Sequence, residues 1–278
     1  MLVGLDHLIV AVADLDEAAE HVGSSLGLEV GGGGQHPALG TRNRLAWWGD
    51  SYLELVAIED AGAAAAAGNW FGAAVAGALA PTRASGDPSP LDGVHGAPVG
   101  LALVSDDLVA DAAVTRSAEI TNGQRTRPDG RVVRWRMARP GGAAGPRAGA
   151  AGPRAGAAGA WPTIFMIEHD STAAEWSDAE RAERAAAIHP LGTPVRLRVV
   201  TVGVPSVTGT VGRLGREFAI LFRPALVGGG ARDASLGRQT LRIAPARPGE
   251  PILTIDLQGG HESRELDLLG CRWRLSPA

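Results

Sequence analysis

Three side chains that can do chemistry lie inside apolar segments, where charged groups are uncommon. His7 lies in LDHLIVAV, Glu54 in SYLELVAI and Glu168 in TIFMIEH. A buried carboxylate costs free energy unless a cation or several donors satisfy it. One histidine and two carboxylates suit a divalent metal ion that keeps open positions for a substrate. The structural alternative is a hydrogen-bonded core histidine, with each acid facing water from an edge strand.

The spacing of these residues indicates a repeated unit. His7 and Glu54 are 47 residues apart, and Gly100, which we align with His7, lies 68 residues before Glu168. Residues 141–160 contain two copies of GPRAGAA, and removing this 20-residue low-complexity insertion leaves 48. Two units of nearly equal length, each closing with an acid, predict an internal duplication whose pseudo-twofold axis brings the acids together.

Both units show the element order β-α-β-β-β. The expected strands of the first unit cover 5–12, 43–48 and 51–58, and those of the second cover 98–104, 131–138 and 163–169. Helices are predicted over 15–26 and 106–118. Alternation along the first strand places Leu5, His7, Ile9 and Ala11 on one face. The glycine run at 31–34 predicts a loop.

We therefore predict an α+β fold in which paired β-α-β-β-β modules form a curved mixed sheet around a concave site, with a C-terminal partial module. The expected segments are 1–60 for the first module, 61–97 for an Ala/Gly-rich helix and linker, 98–170 for the second module with its insertion 141–160, and 171–278 for a helix and the partial third module. A membrane-spanning segment at 61–80 is the less favoured interpretation of that uncharged stretch.

Composition excludes several classes of protein. A net charge of −4 argues against nucleic acid as the main partner. The single cysteine, Cys271, excludes an intramolecular disulfide and a cysteine-rich zinc site, and it fits a cytoplasmic location. All 26 basic residues are arginine, which excludes lysine Schiff bases and the lysine-dependent phosphate loop. No dinucleotide-binding glycine motif occurs, so no nucleotide cofactor is expected.

The motifs LDHLIVAVADLDEAAE, SYLELVAIED, TRPDG at 126–130 and FMIEHD at 165–170 resemble the vicinal oxygen chelate superfamily, and more narrowly its glyoxalase-like domain proteins. The resemblance covers residues 1–200. It implies a divalent metal ion (Zn, Fe, Mn or Ni) bound by His7, Glu54 and Glu168, in an enzyme of isomerase, lyase or dioxygenase type. The metal would act as a Lewis acid, and Glu54 or Glu168 would serve as the general base.

One position departs from the pattern of the superfamily's metal enzymes. Members with a full ligand set usually carry a second histidine where this chain has Gly100. His36, in HPALG, is the best substitute, although a loop histidine beside a turn proline is the simpler interpretation. His189, in HPLG, repeats the local motif of His36 and has the same simpler interpretation. The other histidines are expected at the surface or in loops: His21, His95, His169 and His261.

Expected substrate contacts come from Arg125, Arg127, His36 and Trp48. Either arginine can clamp a carboxylate beside the Pro-Asp-Gly turn, although a solvated strand face is the alternative. We expect a small oxygenated or carboxylated substrate, neither a nucleic-acid nor a membrane partner, and keep a homodimer open. The rival function is metal-free binding or sequestering of a small molecule on the same fold.

Overall fold

A computed structural model describes residues 1–80, 96–115, 117, 119–140, 162–170 and 174–278. The insertion predicted at 141–160 lies outside the described residues, as do residues 81–95 of the predicted linker. The uncharged stretch at 61–80 forms two short helices, and no helix in the described part of the chain is long and apolar enough to cross a bilayer.

The first module contains the predicted strands and helix and one further strand. Its elements are β1 (Leu2–Val12), α1 (Leu15–Leu26), β2 (Gly31–His36), β3 (Thr41–Trp48) and β4 (Ser51–Ile58), followed by α2 (Ala61–Ala64) and α3 (Trp70–Leu79). The Asp14 side chain accepts hydrogen bonds from the first turn of α1, and Gly27 ends the helix with a left-handed backbone. The glycine run at 31–34 was predicted as a loop because glycine has low strand propensity. That prediction was wrong, since these residues lie in β2.

The glycines of β2 have a steric role at the seam between the modules. A Cβ atom on Gly34 would lie 2.1 Å from the Thr126 carbonyl oxygen, and one on Gly33 equally close to the carbonyl oxygen of Asn43. Only a strand without side chains here can approach both neighbours.

The second module repeats the first, and the two close into one barrel. Its elements are β5 (Gly96–Ser105), α4 (Leu108–Val114), β6 (Thr121–Thr126), β7 (Val132–Ala138) and β8 (Thr163–His169). The strand order around the barrel is β1-β4-β3-β2-β6-β7-β8-β5. Strand β1 runs parallel to β4 and antiparallel to β5, while β5 runs parallel to β8. The predicted α+β fold with paired modules and a curved mixed sheet is confirmed.

The C-terminal region forms a larger sheet than the partial module predicted. It comprises α5 (Asp178–Ala186), β9 (Arg196–Val204), α6 (Val207–Phe218), β10 (Arg223–Pro224), β11 (Arg232–Leu236), β12 (Gln239–Pro245), β13 (Leu253–Gln258), β14 (Arg264–Leu268) and β15 (Cys271–Ser276). The order β10-β11-β12-β9-β13-β15-β14 makes seven strands. The sequence did not indicate four of these strands: β10, β11, β14 and β15.

Strand β1 divides two apolar regions. Leu8, Val10 and Val12 pack in the main core with α1 and the C-terminal sheet, whereas Ile9 and Ala11 face the barrel interior. Leu5 also packs in the main core, so it does not share a face with His7 as simple alternation predicts. The reason is a break in the pairing of β1 with β5 between Leu5 and His7, which adds Asp6 as an extra residue.

Candidate functional site

A group of buried polar side chains lies inside the barrel among apolar walls. Its members come from strands of both modules: Asp6, His7, His36, Asn43, Glu54 and His169. Charged groups in such a place persist only when they satisfy one another. The barrel interior is therefore a polar site and not simply a packed core.

Asp6 binds two histidines. Its Oδ2 atom lies 2.5 Å from His7 Nδ1 and 2.9 Å from His169 Nε2, and its Oδ1 lies 3.0 Å from the same His169 nitrogen. Burial opposes ionisation of Asp6, but the charges and hydrogen bonds of His169 and His7 outweigh it and hold the pKa below its ordinary range. An ionised Asp6 can only accept hydrogen bonds, so His7 donates from Nδ1.

The other nitrogen of His7 faces Glu54. His7 Nε2 lies 3.4 Å from Glu54 Oε2, and the amide of Asn43 donates to Glu54 Oε1 at 2.6 Å. His36 Nε2 lies 3.9 Å from Glu54 Oε1, and His36 Nδ1 lies 3.0 Å from the hydroxyl of Thr41. A continuous polar path therefore runs from His169 through Asp6 and His7 to Glu54.

The space around this path is divided into two parts. A cavity of about 40 Å³ lies against His7, Glu54 and His36 and has apolar walls that include Phe165 and Ile9. A volume of this size has room for a few water molecules or the reacting end of a ligand. An outer groove of about 1370 Å³ shares His169, Trp135 and Trp176 with the cavity and has room for a larger group.

The structure does not bring Glu168 to His7 and Glu54. Residues Phe165 and Ile167 of β8 face the interior, so Glu168 between Ile167 and His169 faces outward. There it forms an ion pair with Arg136, whose Nε and Nη2 atoms both donate to Oε2, the Nε atom from 2.7 Å. The predicted convergence of the three residues is thus corrected: strand alternation sends His169, and not Glu168, into the site.

His169 is the residue that sequence reasoning missed. It was expected in a loop or at the surface, yet its side chain is 6% exposed and its ring stacks on Trp176 with centroids 3.5 Å apart. The signal that could have found it is its alternation with Phe165 and Ile167 in an apolar strand. The same alternation places Glu168 on the opposite face.

Neither predicted arginine is free to clamp a substrate. Arg125 lines the cavity but is buried, and it donates to the Gly33 carbonyl oxygen at 2.5 Å and to Glu175 at 2.7 Å. Arg127 lies outside the cavity, 3.6 Å from Glu175 and 3.5 Å from Asp129. The two arginines neutralise the buried Glu175 carboxylate, which the sequence analysis did not single out.

Two further predicted residues have distinct positions. Trp48 packs in the main core with its ring centroid 5.8 Å from that of Trp273, so it does not line the cavity. Trp47 instead packs beside Tyr52 and Trp176, near the site. His36 does line the cavity, as expected of a substrate-contacting residue.

The burial of His36 predicts a pH dependence of stability. Desolvation lowers its pKa from 6.5 to about 4. Below pH 6.5 the unfolded chain takes up a proton that the folded chain does not, so this contribution is complete above pH 6.5 and is lost as the pH falls toward 4. From pH 7 to pH 5 we expect this group to lower the free energy of unfolding by about 2 kcal/mol.

Urea unfolding at several pH values measures this loss. The His36→Gln variant cannot titrate at this position and should lose less stability over the same range, while His261→Gln, at an exposed position, should follow the parent. Equal pH slopes for the parent and His36→Gln would contradict the prediction.

The chain forms a closed barrel of two β-α-β-β-β modules, and comparison with known proteins identifies its family. Residues 5–216 match the family model described as "Glyoxalase-like domain", so the chain belongs to the glyoxalase-like domain family. No curated protein matches the chain.

Solved structures extend the comparison of the fold. A hypothetical protein from Staphylococcus aureus is similar over 100% of both chains, with 14% identity and a TM-score of 0.71. A variant of methylmalonyl-CoA epimerase from Streptomyces coelicolor covers 60% of this chain and 98% of its own, with 19% identity and a TM-score of 0.39. A fusion protein of a xylose isomerase-like TIM barrel and 4-hydroxyphenylpyruvate dioxygenase covers 93% of this chain and 36% of its own, with 12% identity and a TM-score of 0.44. At 14% identity, the similarity to the Staphylococcus aureus protein concerns the fold alone.

The donor set of the site does not fit the three-ligand metal that the resemblance implies. The described residues contain no group of three or more His, Cys, Asp and Glu side chains placed to share a metal ion. Glu168 is bound to Arg136 on the outer face, and one oxygen of Glu54 already accepts from Asn43. The chemistry that this arrangement supports directly is proton transfer.

Proposed function

We propose that this chain is an enzyme that moves a proton on a small oxygenated or carboxylated substrate, with His7 as the general base and acid. The observation that carries the proposal is the contact of the buried His7 with two carboxylates, the second of them beside the cavity. Asp6 lies at Nδ1, 2.5 Å away, and Glu54 lies 3.4 Å from Nε2. Groups held in this way are typical of general acid–base catalysis.

The two carboxylates contact different nitrogens of the His7 ring, and this determines the role of each nitrogen. Because Asp6 accepts the Nδ1 proton, a neutral His7 presents a lone pair at Nε2, the nitrogen that faces the cavity. This lone pair would take a proton from a carbon next to a carbonyl group, leaving the electron pair of the broken C–H bond in an enolate. The imidazolium would then return the proton, and Glu54 would stabilise it meanwhile.

The phenol of Tyr52 would donate a hydrogen bond to the enolate oxygen. Its ring stacks on His7 with centroids 4.6 Å apart, and it lines the cavity. Burial, with the nearby Asp6 and Glu54 carboxylates, raises the pKa of the Tyr52 phenol well above its ordinary value. The phenol therefore stays protonated and able to donate a hydrogen bond to a developing negative oxygen.

Deuterium exchange tests the proposal without knowledge of the complete reaction. The protein is incubated in D₂O with a panel of 2-oxo acids and 2-hydroxy acids, and loss of the proton at the carbon beside the carbonyl or carboxylate is followed by NMR. We expect exchange for at least one member of the panel, and a rate roughly 100-fold to 10,000-fold lower in His7→Gln. The His261→Gln variant is the matched control.

Binding without exchange would favour a second function. The cavity is lined by the aromatic rings of Tyr52, Phe71, Trp135, Phe165 and Trp176, which suit the sequestering of a planar small molecule. Calorimetry with the same acids and with catechols measures binding separately. Tight binding of a neutral planar compound, with no exchange in any acid and no effect of His7→Gln, would overturn the enzymatic proposal.

Metal dependence and the reaction types that the resemblance implies stay predictions. Metal analysis of protein purified without chelators tests the first, together with the exchange assay repeated after chelation and after addition of Zn²⁺, Fe²⁺, Mn²⁺ or Ni²⁺. An exchange rate unchanged by chelation is the result expected from the proton-transfer arrangement. An exchange rate that is lost on chelation and restored by one of these ions would show that the reaction depends on that metal.

A further inference from the structure

We infer that Gln239, in the C-terminal sheet, is a positioning residue for the Asp6–His7 pair, so that the sheet outside the barrel takes part in the proposed proton transfer. The inference rests on the proposed function. It is carried by the contacts of Gln239 with the backbone of Leu5 and by the irregular pairing of β1 beside it.

The irregular pairing is what puts Asp6 and His7 in contact inside the barrel. Leu5 pairs with Leu103 and His7 with Ala102, so Asp6 is the extra residue of a β-bulge. In a regular strand, adjacent side chains point to opposite faces. With the bulge, Asp6 is completely buried and its carboxylate reaches the ring of the residue that follows it.

Side chains bind the backbone of Leu5 where the sheet does not continue. Pairing of β1 with β4 begins at His7 opposite Tyr52, so Leu5 lies beyond the first paired residue on that side. There the Gln239 Oε1 atom accepts from Leu5 N at 2.6 Å, and the Ser51 hydroxyl donates to the Leu5 carbonyl oxygen at 2.6 Å. The Gln239 amide donates to the same hydroxyl.

The hairpin turn that carries Gln239 is packed tightly on the start of β1. Leu236 pairs with Gln239 across a two-residue turn, in which Gly237 has a φ of 58°. A Cβ atom on Gly237 would lie 2.3 Å from the Val3 carbonyl oxygen, and one on Gly4 would lie 3.2 Å from Gln239 Oε1. This close approach leaves the glutamine amide in contact with the residue immediately before Asp6.

Glutamine is suited to this place because it both accepts and donates. Methionine has a similar length and no hydrogen-bonding groups of comparable strength, whereas glutamate retains the acceptor for Leu5 N. The Gln239→Met variant therefore removes the hydrogen bonds of Gln239 with Leu5 N and the Ser51 hydroxyl, with little change in side-chain volume. The Gln239→Glu variant retains one of the two bonds, and Ser235→Ala alters an exposed residue of the same hairpin, outside the groove, as a control.

The experiment observes the hydrogen-bonded ring protons of His7 and His169 by NMR of protein labelled with ¹⁵N-histidine. Asp6→Asn assigns the signals that depend on Asp6. We expect Gln239→Met to lose the His7 signal and to lower the deuterium exchange rate roughly 10-fold to 100-fold, as a small misplacement of a catalytic group does. Gln239→Glu should retain the signal, and Ser235→Ala should leave both measurements unchanged.

The outcomes separate this inference from the proposed function. If the parent shows no exchange but Gln239→Met still loses the His7 signal, the positioning role stands while the enzymatic proposal fails. A folded Gln239→Met variant with lower thermal stability but the parental His7 signal and exchange rate would overturn the inference. If Gln239→Met does not fold, Ser51→Ala replaces it, because this variant removes the hydroxyl that binds both the Leu5 carbonyl oxygen and the Gln239 amide and leaves the hairpin in place. An unchanged His7 signal in Ser51→Ala would also overturn the inference.

Discussion

We expect Asp6→Asn to lower the deuterium exchange rate by at least about 100-fold with little change in side-chain volume. Asp6 accepts hydrogen bonds from both His7 and His169. A neutral asparagine no longer stabilises the imidazolium that His7 becomes, and when its NH₂ group takes the place of Oδ2 it puts a donor against His7 Nδ1. The ring must then move its proton to the opposite nitrogen. For His7 this would convert Nε2 from a base into a donor.

The measurement is the same exchange assay, performed together with thermal unfolding. Asp129→Asn is the matched control, since it makes the same chemical change at an exposed residue that pairs with Arg131. It should leave the exchange rate unchanged. A rate for Asp6→Asn within about threefold of the parent, less than the smallest effect expected of acid–base catalysis, would show that His7 works without its partner.

The second large effect concerns stability. Trp273→Ala should lower the free energy of unfolding by about 3–5 kcal/mol. The Trp273 ring is completely buried between the barrel and the C-terminal sheet, where it meets Trp48, and its indole nitrogen donates to the Leu268 carbonyl oxygen at 2.9 Å. Truncation would leave a cavity and one unsatisfied carbonyl group at this junction.

Urea unfolding measures this loss, and hydrogen exchange locates it in the strands around Trp273. Leu226→Ala is the control, because it truncates a large apolar side chain that is fully exposed and should change stability by at most about 0.5 kcal/mol. A loss below about 1 kcal/mol for Trp273→Ala would mean that the two sheets do not depend on this contact.

The elements and their order were largely predictable because their signals are local. The helix α1 carries its own start and stop at Asp14 and Gly27, and β4 is a short apolar run ending at a charged pair. His7, Glu54 and His36 were also predicted in the site, and the structure brings these three together around one cavity. In the barrel, β6 was not predicted, and β2 was predicted as a loop because its place at the seam requires glycines that are typical of a loop.

By itself the sequence determined the paired modules, the acid on β4 and the histidine on β1, because periodicity and composition record which segments are buried. Only the tertiary structure decided the rest of the site. The near-equal spacings of 47 and 48 matched Glu168 with Glu54, but a strand reverses face at every residue, and in β8 the inward-facing Phe165 and Ile167 leave Glu168 outward and His169 inward. The bulge at Asp6 is held through Leu5 and Gln239, which are 234 positions apart, and no local pattern encodes such a contact.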